Sequence, residues 1–134
     1  MERLNAWAPR VLSLVRIIAA LLFLEHGLMK LFHFPAAQPL PPGMTSLPPI
    51  LIAAAVIELV GGVLLTLGLF TRAAAFICSG EMAVGYFLAH AAMKGPWPAI
   101  NGGDAAILLC WIFFYLVFAG GGEWSADAMV RRKA

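Results

Sequence analysis

The chain has 134 residues, of which 62% are hydrophobic and only 12% are charged. Soluble domains carry about 25% charged residues, and disordered segments have low hydrophobicity, so this composition excludes both classes. The net charge of +2 gives no reason to expect a nucleic-acid partner. The partner that the composition predicts is the lipid bilayer.

Four apolar runs occupy most of the chain. The predicted helices span residues 11–33, 49–70, 73–94 and 102–121. Each is close to the roughly 20 residues that a helix needs to cross a bilayer. Because lipid cannot satisfy backbone polar groups, such spans must be helical. The sequence therefore predicts an all-α fold. Residues 1–134 are expected to form a single domain, an integral membrane protein built as an antiparallel four-helix bundle.

The connecting segments predict the topology. A Pro-rich loop at 35–48 is expected on the outer side, a Thr71-Arg72 turn joins the second and third helices, and 122–134 forms a cytoplasmic tail. Positive charge collects at the termini and in that turn. Since cytoplasmic loops are enriched in Lys and Arg, we expect both termini in the cytoplasm.

Polar and ionisable side chains interrupt the apolar runs. Such groups are costly in a membrane and usually face the bundle interior or a wet cavity. Seven of these residues are expected near the middle of the membrane or in its outer half. They are Glu25, His26, Lys30, Glu58, His90, Asn101 and Asp104. We expect them to converge on one pocket. They form either a functional site or a polar cluster that fixes helix register.

Two further patterns concern the third and fourth helices. In a regular helix Glu81 lies about 180° from His90, since each residue turns about 100°. Glu81 is therefore predicted to face away from the pocket and to form a structural pair with Arg16. An aromatic stripe with Trp111 and Tyr115 predicts either the wall of a flat-ring site or packing against neighbours and lipid.

Four segments together resemble a known family. They read RIIAALLFLEHGLMKLF, IELVGGVLLTLGLFTR, AHAAMKGPWP and NGGDAAILL…AGGGEWSAD. From about residue 16 to 127 the chain resembles the DoxX family of small bacterial and archaeal membrane proteins. This resemblance implies a multi-pass protein of the bacterial inner membrane. The family's motif carries over onto His26, Gly27, Lys30, Glu58, Gly61, Gly62, His90 and Asn101, with Asp104 where relatives often have Glu.

The family takes its name from a subunit associated with quinone-linked oxidation of sulfur compounds. The resemblance therefore implies a quinone-linked redox component, with quinone as its cofactor. In this hypothesis His26, Glu58, His90 and Glu25 are catalytic and handle protons. The quinone would be bound by Lys30, Asn101, Asp104, Trp111 and Tyr115.

The remaining expectations concern cofactors and partners. The sequence has no haem, flavin or iron–sulfur signature, so electrons would come from a soluble redox partner or directly from substrate. No metal site is predicted, because the histidines lack a paired-ligand spacing. Two other functions stay open: a proton-coupled small-molecule permease or binding subunit, which would require a homo-oligomer, and a scaffold for soluble redox enzymes. Whether the protein is an enzyme at all is left open.

Overall fold

The structure is a computed structural model that describes residues 2–133, and the residues it describes form helices and turns without a strand. The helices are α1 Glu2–Asn5, α2 Ala8–Phe32, α3 Pro49–Leu67, α4 Thr71–Gly85, a π-helical segment Tyr86–Ala91, α5 Ala92–Lys94, α6 Pro98–Asn101, α7 Asp104–Ala119 and α8 Ala126–Lys133. Met1 and Ala134, the ends of the predicted domain and tail, lie outside the described residues.

Four stretches build the bundle. Within residues 2–133, Ala8–Phe32, Pro49–Leu67 and Thr71–Lys94 are long and apolar enough to cross a membrane, and Asp104–Ala119 is a shorter apolar helix. We call Thr71–Lys94, which joins α4, the π-helical segment and α5, the third span. Large apolar side chains lie exposed around the outside of the bundle, as a lipid-facing surface requires. These observations confirm the all-α membrane bundle of a multi-pass protein.

The helices pack in the ring order α2, α3, α4, α7, with the most extensive contacts within the α2–α3 and α4–α7 pairs. Phe23 and Phe113 meet edge to face at the centre, with ring centroids 5.0 Å apart. We call the end of the bundle with α8 and the start of α2 the terminal end. The opposite end, with residues 33–48 and 95–103, is the loop end. Which end faces the cytoplasm stays a prediction.

Small residues bring α2 and α3 close together. A Cβ atom added at Gly62 would lie 2.8 Å from the Leu24 Cβ atom, and one added at Gly27 would lie 3.0 Å from the Glu58 Cβ atom. Close approach through small residues is the usual way that helices pack in a bilayer. The second span therefore packs against the first through a face of small residues, and Glu58 is buried in the seam between them.

The connection between α3 and α4 differs from the predicted Thr71-Arg72 turn. The chain turns at residues 68–70, and α4 already begins at Thr71. Gly68 and Phe70 adopt left-handed backbone conformations, with φ of 69° and 49°. A glycine in this conformation ends a helix without steric cost, so the turn is set by Gly68 and not by the charged residue after it.

Asp127 fixes the start of α4. Its carboxylate accepts hydrogen bonds from the backbone amides of Phe70 and Thr71, at 2.9 Å each. Burial alone would raise the pKa of Asp127, but these amide hydrogen bonds outweigh it and hold the pKa below its ordinary value. The side chain caps a helix from a distant part of the sequence.

The segment after α7 folds back onto the first span. The Ser13 hydroxyl accepts a hydrogen bond from the Trp124 amide at 3.0 Å, and the buried Arg16 guanidinium donates to the Trp124 carbonyl at 2.7 Å. The predicted pair of Arg16 with Glu81 is therefore wrong. Arg16 is engaged at the terminal end, while Glu81 lines a cavity that opens at the loop end.

Candidate functional site

A cavity of about 610 Å³ lies between the spans and reaches the loop end. Apolar side chains supply much of its wall, among them Ile57, Ile77 and Leu109. The Pro-rich loop contributes Pro41 and Met44, so the segment predicted as an outer loop borders this space. A mostly apolar cavity of this size with a few polar groups is the usual form of a small-molecule site.

The polar centre of the cavity is a buried ion pair. Lys30 Nζ lies 2.5 Å from Glu58 Oε1, and the two side chains are 8% and 1% exposed. Lys30 comes from the last turn of α2 and Glu58 from the middle of α3, so the tight seam between these helices brings them together. Desolvating two charges costs several kcal/mol per ion, which only good geometry and further polar contacts offset.

Two carboxylate oxygens near this pair have no partner. Glu58 Oε2 and Glu81 Oε2 are both buried and accept no hydrogen bond from the described residues. Both side chains line the cavity. A buried acceptor without a partner is costly, so these oxygens mark positions where a bound molecule or water would gain a hydrogen bond.

His26 and His90 also line the cavity. Nδ1 of His26 lies 2.8 Å from the carbonyl oxygen of Leu22, and Nδ1 of His90 lies 3.2 Å from that of Asn101. A carbonyl oxygen only accepts, so each Nδ1 carries the proton. In the neutral imidazole each Nε2 then holds a lone pair and is a hydrogen-bond acceptor.

Sequence reasoning missed Glu81 because the third span is not a regular helix. Residues Tyr86–Ala91 are π-helical, and the amide of Ala92 donates to the carbonyl of Phe87. A π-helical turn holds more residues than an α-helical turn, so it changes the direction in which the residues within and after it project. The separation of about 180° expected for a regular helix therefore does not hold across this segment, and Glu81 and His90 line one cavity. Glu81 itself was visible in the sequence as an ionisable residue inside a span.

Asn101 holds the loop end together and does not line the cavity. Its side-chain amide donates to the Gly95 carbonyl at 2.8 Å and to the Tyr86 hydroxyl at 3.4 Å. Its side-chain oxygen, Oδ1, accepts a hydrogen bond from the backbone amide of Gly103 at 2.8 Å. These contacts use both ends of the side chain, and the ligand-binding role expected of Asn101 stays a prediction.

Four other predicted site residues lie away from the cavity. Glu25 and Asp104 are not part of its lining, and Asp104 is exposed in the first turn of α7. Trp111 and Tyr115 are 65% and 61% exposed on the outer face of α7. The aromatic stripe therefore lies on the outside of the bundle, where Tyr115 borders a second cavity at the terminal end, and its role in a flat-ring site stays a prediction. The spacing of the aromatic residues correctly placed them on one face of a helix. It gave no information on whether that face is buried or exposed.

The site thus consists of Lys30, Glu58, Glu81, His26 and His90. Their side chains bring one primary amine, two carboxyl groups and two imidazoles to the same cavity. Within residues 2–133, the His, Cys, Asp and Glu side chains form no group of three placed to hold a metal ion.

Comparison with known proteins agrees with the motif resemblance. A family model described as DoxX matches residues 11–91, more than half of the chain. The chain belongs to the DoxX family. This DoxX protein is also 44% identical, over 129 residues, to a Haemophilus influenzae protein described as an uncharacterized protein. That match covers 95% of the chain and 96% of the relative. No solved structure matches the chain.

Proposed function

We propose that this DoxX protein is a quinone-linked component of a membrane redox system, and that the cavity around Lys30 and Glu58 holds the quinone. The observation that carries this proposal is a buried, hydrogen-bonded ion pair inside a mostly apolar cavity between the membrane-spanning helices. A membrane-soluble ring compound with polar substituents matches both the apolar walls and the polar centre.

The residues present fit such a group. A quinone has a flat apolar ring with two oxygens, and on reduction it takes up two electrons and two protons. Ile57 and Leu109 offer apolar walls, and the ammonium of Lys30 offers a donor. The unpartnered oxygens of Glu58 and Glu81 offer acceptors for hydroxyl groups.

The polar residues of the cavity have three different tasks in this proposal. Lys30 binds and orients by donating hydrogen bonds, and its charge stabilises negative charge on a neighbouring oxygen. Glu58 holds the Lys30 ammonium at the cavity centre. His26, His90 and Glu81 accept or supply protons, since an imidazole Nε2 and a free carboxylate oxygen are the usual groups for this work.

Electrons reach this site from outside the chain. The sequence offers no haem, flavin or iron–sulfur motif, so a soluble redox partner or a reduced substrate supplies them. We place the protein in the inner membrane of a bacterium, because its relative is bacterial and its spans are apolar helices.

The test is mass spectrometry of small molecules extracted from protein purified in mild detergent. The wild type and a Lys94→Met variant are expected to retain quinone, because Lys94 lies outside the cavity. The double variant Lys30→Met/Glu58→Leu is expected to lose it while remaining folded. Absence of quinone from the wild type, even after the purified protein is incubated with it, would contradict the proposal and favour a permease or scaffold.

A further inference from the structure

We infer that the cavity binds the hydroxyl-bearing, reduced form of its ligand, the quinol, more tightly than the quinone. This inference rests on the proposed function and adds a preference between the two forms. The observation behind it is an excess of hydrogen-bond acceptors among the polar groups that line the cavity. A quinone offers only acceptor oxygens, whereas a quinol offers two O–H donors as well.

The histidines contribute two acceptors. Because Nδ1 of His26 and Nδ1 of His90 donate to backbone carbonyls, the free Nε2 atom of each neutral ring can only accept. These backbone contacts select the tautomer, since a ring with its proton on Nε2 would place two lone pairs against each other. The protein backbone therefore prepares both imidazoles to meet a donor.

The carboxyl groups contribute further acceptors. Glu58 Oε2 and Glu81 Oε2 are buried without a partner, and the Glu58 side chain is 1% exposed. In either protonation state, each carboxyl group keeps a lone pair that can accept an O–H. A ligand hydroxyl would therefore satisfy an atom that is costly to leave unpaired.

Donors are fewer among the same residues. Lys30 already gives one of its three N–H groups to Glu58. Gln38, from the Pro-rich loop, lines the cavity too, and its amide adds two N–H donors and one acceptor oxygen that is buried without a partner. The balance of the lining thus stays on the side of acceptors, which matches a donor-bearing ligand.

The preference has a consequence for redox chemistry. A site that binds the quinol more tightly raises the midpoint potential of the bound couple, by about 30 mV for each tenfold difference in affinity. Such a site draws electrons onto the bound quinone. This direction agrees with a protein that passes electrons from a reduced substrate or partner into the quinone pool.

The experiment compares affinities in lipid nanodiscs under anaerobic conditions. A short-chain benzoquinone, its quinol, and the dimethyl ether of that quinol are titrated into the wild type by calorimetry. We expect the quinol to bind about tenfold more tightly than the quinone. The dimethyl ether, which lacks O–H donors, is expected to lose this advantage.

Variants test whether the acceptor side chains of the cavity cause the preference for quinol. Glu81→Leu and His90→Phe are expected to bring the ratio of the two affinities close to one, mainly by weakening quinol binding. Lys94→Met, outside the cavity, keeps the wild-type ratio. The wild-type comparison of the three ligands stands even where a variant fails to fold.

The outcomes separate this inference from the proposed function. Quinone binding equal to or tighter than quinol binding would overturn the inference and leave the quinone site standing. Binding of none of the three ligands would overturn the proposed function itself. An unchanged ratio in folded Glu81→Leu and His90→Phe would also overturn the assignment to these acceptors.

Discussion

Replacing Lys30 with methionine should destabilise the bundle strongly, because Glu58 would be left as a buried charge without a partner. In the structure the pair lies 2.5 Å apart with exposures of 8% and 1%, so the carboxylate would lose its ammonium partner in a buried position. Removing one member of a buried ion pair typically costs about 3–5 kcal/mol. Methionine keeps the length of the side chain, so the change tests the charge more than the packing.

The double variant Lys30→Met/Glu58→Leu gives the decisive comparison. Replacing both partners of a buried pair by apolar residues is often neutral or stabilising, so we expect stability within about 1 kcal/mol of the wild type. The two single variants and the double variant form a cycle that measures the coupling. Lys94→Met is the matched control, because Lys94 is an exposed lysine at the same end of the bundle.

The assay is reversible unfolding in mixed micelles, followed by tryptophan fluorescence. A Lys30→Met variant as stable as Lys94→Met would refute the buried pair. So would a double variant that is as unstable as Lys30→Met, because the loss would then come from packing and not from an unpaired charge.

Three further predictions concern packing and capping. Asp127→Ala should cost about 1 kcal/mol at neutral pH. Because the pKa of Asp127 is lowered in the folded state, the wild type should lose this stabilisation as the pH falls below about 4. The variant should show no such loss. Unfolding measured at pH 7 and at pH 3 checks both expectations. Gly62→Ala should destabilise by about 1–3 kcal/mol, because its Cβ would meet the backbone of α2. Gly80→Ala, with open space around it, should be neutral or stabilising in the same unfolding assay. Asn101→Ala should speed hydrogen exchange in residues 95–103, and unchanged exchange would argue against its bridging role.

The fold could be predicted from the sequence because the evidence for it is spread over many residues. Span length, apolar composition and the rarity of charge depend on many residues, so an error in one residue changes little. The helix ends depend on single residues and were predicted less well. The end of α3 follows from the left-handed Gly68, and the cap of α4 comes from Asp127, which lies far along the chain.

The candidate site could be predicted only where its residues share one regular helix or one tight seam. His26 and Lys30 lie four residues apart on α2, and Glu58 lies on the small-residue face that packs against it. Glu81 and His90 depend on a π-helical turn, which has no clear signal in the sequence. The π-helical segment therefore decides whether these two side chains line the same cavity.

Surface and interior were also hard to separate on α7. An almost wholly apolar helix gives no contrast between a lipid-facing side and a core-facing side. The aromatic stripe with Trp111 and Tyr115 is exposed, whereas Leu109, Phe113 and Leu116 are buried. Only the packing of α7 against α4 and α2 distinguishes the two faces.

The measurement that tests the central claim most directly is photolabelling with an azidoquinone in membranes, with labelled peptides mapped by mass spectrometry. If the quinone site is the cavity, the label should fall on cavity-lining residues of α3 and the third span, such as Ile57 and Met82. Excess unlabelled quinone should suppress that labelling. Label confined to Trp111 and Tyr115 on the lipid-facing stripe, or label that excess quinone does not suppress, would contradict the account.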